Sequence, residues 1–144
     1  MKTLYTWYDI QPQCEKIVKE LKDTYTDIIE YEIVGISRGG LVPAVVISNL
    51  LGIRKVYSLG LKTYKDQEKD NAEIYQVPDL AGNNKIILID DISDTGGSFI
   101  IARDLYRQKQ LVTVSLYMKE KTKFVPDIVG SSVDNNIWVV FPWE

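Results

Sequence analysis

The sequence has 144 residues, one domain's worth of chain and enough to bury a single sizeable core. It contains no histidine and 1 cysteine, which excludes Ser-His-Asp triads, Cys-His pairs, histidine-bearing zinc sites and an intrachain disulfide. With 17 basic against 20 acidic residues the net charge is −3, an argument against general nucleic-acid binding that leaves a local phosphate site open.

The N-terminal Met1-Lys2-Thr3-Leu4-Tyr5 lacks the apolar core of a signal peptide, and no apolar run approaches membrane-spanning length. A cytoplasmic location without a membrane partner is the expectation. No repeat, low-complexity tract or linker divides the chain, so residues 1–144 read as one domain. The first predicted element is a helix from about Gln11 to Asp23, with Asp9 near its start, where an acceptor side chain suits the free amides. Cys14, Ile17, Val18 and Leu21 form one apolar stripe, which makes Cys14 a small core residue rather than a reactive thiol.

Ile33-Val34-Gly35-Ile36 follows as a short strand, Ser37-Arg38-Gly39-Gly40 as a tight loop, and Leu41 to Leu51 as a helix closed by Gly52. Lys55 to Lys62 alternates enough to be a strand. Thr63 to Asn84 is polar and charged and reads as a long loop. Ile86-Ile87-Leu88-Ile89 has the composition of a strand buried on both faces of a parallel sheet. A loop from Asp90 to Gly97, a helix from Ser98 to Lys109 and a strand from Leu111 to Tyr117 complete the pattern. Strand, loop, helix, strand, twice over, implies an α/β fold: an open, mostly parallel twisted sheet flanked by helices. Ligands of such sheets bind beyond the carboxyl ends of the strands, which directs attention to the residues after Ile36 and Ile89.

Asp90-Asp91-Ile92-Ser93-Asp94-Thr95-Gly96-Gly97-Ser98 leaves a buried strand and enters a helix. Its glycines let backbone approach a ligand, Thr95 and Ser98 add hydroxyl donors, and free amides at the positive helix end favour an anion such as phosphate. The same residues also suit a plain βα turn. Asp90 and Asp91 are costly to desolvate without a partner, and adjacent carboxylates can hold ribose hydroxyls and a hydrated Mg²⁺; a capping pair is the other reading. Ser37-Arg38-Gly39-Gly40 repeats the logic, with Arg38 a forked donor for phosphate oxygens or a solvated side chain in a turn. Two such loops at successive strand ends suggest a ligand with two separate phosphate groups.

Ile86 to Ser98 resembles the signature of the type I phosphoribosyltransferases, which bind 5-phosphoribosyl 1-pyrophosphate (PRPP). Ser37-Arg38-Gly39-Gly40-Leu41-Val42-Pro43, followed by Leu51-Gly52-Ile53-Arg54, is similar to the bacterial xanthine-guanine branch, as is the end Ile137-Trp138-Val139-Val140-Phe141-Pro142-Trp143-Glu144. The resemblance runs from about Trp7 to Glu144 and implies that family's fold, with a small purine-binding hood. It places Asp94, Thr95, Gly96, Gly97 and Ser98 on the 5-phosphate, Asp90 and Asp91 on the ribose hydroxyls, and Ser37, Arg38 and Gly39 on the pyrophosphate. Mg²⁺ is the implied cofactor, at Asp91, with Asp90 and Glu144 as further candidate ligands.

Asp94 stands where the 6-oxopurine enzymes of the family carry an acid near purine N7, so the resemblance makes it the catalytic general acid/base. Lys119 falls where a lysine donates to purine O6, while Trp138 would stack on the base with its carbonyl and that of Val139 near the 2-position. The charged stretch from Lys62 to Gln76 corresponds to a mobile lid, with Thr63-Tyr64 in place of its usual Ser-Tyr pair. The implied activity is transfer of the phosphoribosyl group from PRPP to guanine, xanthine or hypoxanthine in purine salvage, by a homodimer or homotetramer. The alternatives are a phosphoribosyltransferase for another base and a non-catalytic nucleotide-sensing regulator of the same fold.

Overall fold

The computed structural model describes residues 1–66, 69–80 and 82–144, apart from the side chains of residues 65, 66, 69 and 70. Its centre is a six-stranded sheet built from β2 (Glu32–Ser37), β3 (Val56–Asp66), β4 (Lys69–Gln76), β5 (Lys85–Ser93), β6 (Gln110–Lys119) and β7 (Ile128–Val133). The spatial order is β4-β3-β2-β5-β6-β7, and every neighbouring pair is parallel except β3 with β4. This is the open, mostly parallel sheet that the alternation of strands and helices predicts.

The sheet is apolar on both sides because it is covered on both sides. Along β5, Ile87 and Ile89 enter the core shared with α1 (Trp7–Thr24) and α2 (Leu41–Leu51), whereas Ile86 and Leu88 enter the opposite core with Phe99 and Ala102 of α3 (Gly97–Leu105). All four are 0% exposed, and each contributes about 1.5–3 kcal/mol of hydrophobic stabilisation, which explains the uninterrupted apolar run. Cys14 is likewise 0% exposed in the first core, and burial pushes its thiol up to about 12. A thiol held protonated is a packing residue, as its place on the helical stripe predicts.

Several boundaries move. Helix α1 begins at Trp7 rather than Gln11, because the Asp9 carboxylate accepts from the Thr6 backbone N–H at 2.7 Å and from its hydroxyl at 3.0 Å, closing the first turn ahead of Pro12. Helix α3 stops at Leu105 instead of running to Lys109. There the Lys109 amide turns back to the Tyr106 carbonyl, and its ammonium bonds Asn83 O at 2.7 Å, tying the helix end to the start of β5. Strand β5 continues through the two aspartates to Ser93, since β6 offers partners there, Asp90 opposite Ser115 and Ile92 opposite Tyr117.

The largest correction concerns residues 63–84. Instead of one long loop, β3 runs on to Asp66 and turns back as β4, with Thr63 opposite Ala72 and Tyr64 opposite Asn71. An edge hairpin with solvent on much of its surface has no alternating apolar face, so its residues read as loop. The expected lid from Lys62 to Gln76 therefore coincides with this hairpin, and its residues 67 and 68 lie outside the described ones.

Beside the main sheet, β1 (Lys2–Leu4) pairs in parallel with β8 (Trp138–Val140). This small sheet, at the position of the expected hood, stands over the carboxyl end of β6. A stack of Tyr5 on Tyr117 at 4.4 Å and of Phe141 on Trp143 at 4.7 Å holds it down.

Candidate active site

The loops after β2 and β5 meet at one edge of the sheet. A Cβ added at Gly39 would fall 2.0 Å from Asp91 Oδ2, so the absence of a side chain at Gly39 is what lets the first loop lie against the second loop's carboxylate. Arg38, Gly39 and Val42 on one side and Asp91, Trp143 and Glu144 on the other line a cavity of about 620 Å³. Arg38 is exposed and has its guanidinium available to an oxyanion.

The loop after β5 is shaped by its anchors. Ser93 donates to Phe124 O at 2.7 Å, and Lys123 N–H donates to Thr95 O at 3.0 Å. Gly96 then takes φ 94, in the left-handed region, where a Cβ would also lie 2.7 Å from the Phe124 nitrogen. The turn delivers Gly97 and Ser98 as the opening of α3, where the Gly97 amide donates to the Thr95 hydroxyl at 3.3 Å and the positive helix end favours an anion. Asp94, Thr95, Gly96, Gly97 and Ser98 line a cavity of about 250 Å³ that Thr63, Asn71 and Ala72 of the hairpin also border, room for a phosphate and more.

A third cavity, of about 370 Å³, is lined by Asp94, Lys119, Ile137, Trp138, Val139 and Glu144 among others, within the range of small-molecule sites. Lys119 is only 7% exposed, and its ammonium donates to Ile137 O and, at 3.5 Å, to Asp134 O. An ammonium has three N–H bonds, so one remains for a ligand. Trp138 is 68% exposed, unlike the buried tryptophan that an apolar strand usually contains, and its indole face is open to a planar guest. Asp94 and Ile92 line both this cavity and the one at the start of α3, and Asp94 is the charged group of the two.

Asp90 and Asp91 are partly buried side by side. Asp90 Oδ1 accepts from the Asp91 amide at 2.9 Å, and Asp91 Oδ1 accepts from the Ile92 amide at 2.7 Å. Burial raises the Asp90 pKa well above the usual carboxylate value, with the Asp91 charge adding to the shift. Burial also raises Asp91, and the Glu144 charge adds to it. The Trp143 indole N–H opposes the Asp91 shift from nearby but makes no hydrogen bond of normal geometry. Two desolvated carboxylates that resist ionisation are matched by a cation or by hydroxyl donors. Asp90 and Asp91 offer carboxylate oxygens, the ligand type that a hard cation such as Mg²⁺ takes together with waters and substrate oxygens.

Tyr75 escapes any reading of the sequence. From the edge strand β4 it places its hydroxyl 2.8 Å from that of Ser37. Thr63 likewise borders the cavity at the start of α3, while its neighbour Tyr64 is 47% exposed. Both Thr63 and Tyr75 depend on the hairpin fold, for which the polar stretch carries no periodic signal.

Residues 2–144 match the phosphoribosyl transferase domain family, and the chain belongs to it. The likeness to its xanthine-guanine branch is also borne out. The chain is 35% identical over 115 residues to a xanthine-guanine phosphoribosyltransferase of Cereibacter sphaeroides, covering 78% of this chain and 68% of that protein. It is 30% identical over 120 residues to the protein of the same name from Ruegeria sp., covering 78% and 67%. The solved structure of a purine phosphoribosyltransferase from Pyrococcus horikoshii superposes with a TM-score of 0.83 at 29% identity, over 99% of this chain and 94% of that one.

Proposed function

We propose that the protein transfers the 5-phosphoribosyl group of PRPP to N9 of a 6-oxopurine, releasing pyrophosphate. The observation that carries this reading is Asp94, a carboxylate shared between the cavity at the glycine turn opening α3 and a cavity with a lysine donor and an open indole. The family membership and the names of the relatives support the reaction class.

In this reading Asp94 to Ser98 hold the 5-phosphate, chiefly through backbone amides at the start of α3. Asp90 and Asp91 accept from the ribose 2- and 3-hydroxyls. Mg²⁺ would be held by Asp91, with Asp90 and Glu144 near, and would supply positive charge to the leaving pyrophosphate. Arg38 and the amides of the Ser37–Gly39 loop stabilise the same developing negative charge. As the bond from C1 to pyrophosphate lengthens, the ribose becomes cation-like and the surrounding carboxylates lower its energy. N9 attacks from the opposite face with inversion.

In the N7–H form of the base the N9 lone pair is free to form the new bond, and Asp94 takes the proton that N7 loses as the bond forms and releases it to solvent. Lys119 donates its remaining N–H to O6, an oxygen in guanine, xanthine and hypoxanthine and an amino group in adenine. Trp138 stacks on the base. The hairpin bearing Thr63 covers the 5-phosphate and limits the access of water to the reacting centre.

The test is direct: the protein is incubated with PRPP, Mg²⁺ and, separately, guanine, xanthine, hypoxanthine, adenine, uracil and orotate, and the nucleotide formed is measured. Product with one or more of the first three, and none with the others, is expected. Product only with adenine, uracil or orotate overturns the base assignment. PRPP binding without product from any base favours the sensing regulator.

A further inference from the structure

We infer that Tyr75 is a positioning residue of the pyrophosphate loop, acting through Ser37; the inference rests on the reading of that loop given above. Three strands bring the pair together. Ser37, the last residue of β2, is opposite Gly60 of β3, and Gly60 is opposite Gln76 of β4. Tyr75, next to Gln76 on the edge strand, must therefore pass over β3 to reach β2. It does so across Gly60: a Cβ there would lie 2.4 Å from Tyr75 Cε2 and 2.7 Å from Cζ, so any side chain at this position would displace the ring. The crossing ends in the 2.8 Å contact between the Tyr75 and Ser37 hydroxyls. Tyr75 is otherwise 55% exposed, so the ring is held over the glycine without being needed by the core.

The chemistry assigns the direction. A serine hydroxyl has one hydrogen and two lone pairs. Facing a phosphate oxygen, it has to spend the hydrogen on the anion, and a neighbouring donor then has to satisfy the oxygen. The Tyr75 O–H is that donor. Donation from Tyr75 to Ser37 and from Ser37 to the pyrophosphate forms a two-step chain in which each bond polarises the next. In the absence of an anion either hydroxyl can donate, and the pair is free to reverse. Tyr75 thus orients the Ser37 proton toward the leaving group, and it joins the hairpin that roofs the 5-phosphate to the loop that meets the pyrophosphate.

The test is a double-mutant cycle on the full chain with Mg²⁺ present, in which binding of PRPP is read by calorimetry independently of any purine. Tyr75→Phe keeps the ring on Gly60 and removes only the hydroxyl. It is expected to weaken PRPP binding about five- to tenfold, with an unchanged melting temperature and an unchanged KM for the purine. In a Ser37→Ala background the same substitution is expected to have no further effect, because the group it acts through is gone. A Tyr75→Phe variant that binds PRPP like the parent overturns the inference, as does an equal loss in the presence and absence of the Ser37 hydroxyl. A parent protein that binds no PRPP overturns the functional reading itself, and the inference with it. A parent that binds PRPP but converts no purine overturns the reaction alone and leaves the cycle interpretable.

Discussion

The two halves of the site are built in different ways. The half proposed to take the phosphates consists of two contiguous loops, each at the end of a parallel strand and the beginning of a helix, with glycines where the backbone packs too closely for a side chain. The base half gathers Lys119 from the end of β6, Trp138 and Val139 from β8, and Glu144 from the last turn, and it meets the first half at Ile92, Asp94 and Glu144. A half made of consecutive residues depends on local backbone geometry. A half made of scattered side chains depends on the packing of the small sheet, through Tyr5 on Tyr117 and Phe141 on Trp143.

Asp94, which lines a cavity of each half, is the place to test the division first. Asp94→Asn is expected to lower kcat by about 10²–10⁴ with guanine while leaving the KM for PRPP nearly unchanged, as measured by steady-state kinetics. A comparable loss in both parameters would assign Asp94 to the phosphate half alone. Next comes Lys119→Met, which keeps a long apolar stem and removes the donor. It should cut kcat/KM for 6-oxopurines about 10–100-fold and narrow the preference over adenine, with PRPP affinity preserved. Loss of PRPP binding in this variant would mean that the two halves are coupled through Lys119.

Gly96→Ala probes the backbone logic of the phosphate half. Because φ is 94 at Gly96 and a Cβ would press on the Phe124 nitrogen, the variant should lose about 1–3 kcal/mol of stability in denaturant unfolding, with weaker PRPP binding. A stable, fully active variant would show that the loop's left-handed turn is dispensable.

The smallest effect concerns pH. Asp90 and Asp91 have folded pKa values raised by burial, so the folded chain holds those protons more tightly than the unfolded chain does. Their contribution to stability is therefore fully present below the unfolded carboxylate pKa and is lost as pH rises through the raised folded values. The double variant Asp90→Asn, Asp91→Asn should show a flatter melting temperature between acid and neutral pH than the parent. Equal slopes in scanning calorimetry would remove the aspartate pair as the cause.

How far each half could be read in advance follows from the same difference. Asp90 to Ser98 and Ser37 to Gly40 stand out because each puts hydroxyls and glycines between a buried strand and a helix, which suits a phosphate site as well as a plain turn, and the structure brings Gly39 against Asp91. Helix α2 ends where its glycine predicts, at Gly52. The hairpin of β3 and β4 was invisible, since an exposed edge carries no alternating pattern, and Tyr75 was hidden with it. Lys119 and Trp138 could be placed only by resemblance to a family, because a buried lysine and an exposed tryptophan both run against what their types usually do.

By itself the sequence determined the class of chemistry. Without histidine, and with 1 cysteine buried in the core, the available groups are carboxylates, lysine, arginine, hydroxyls and amides, and the order of apolar runs and glycine loops requires a parallel sheet with a site at its carboxyl edge. The tertiary structure decided which groups meet. It set Gly39 against Asp91, Asp94 between two cavities, and Tyr75 over Gly60 onto Ser37. Local propensity acts over a few residues, whereas these contacts join positions up to 52 residues apart, and only strand order and packing bring such positions within a few ångströms.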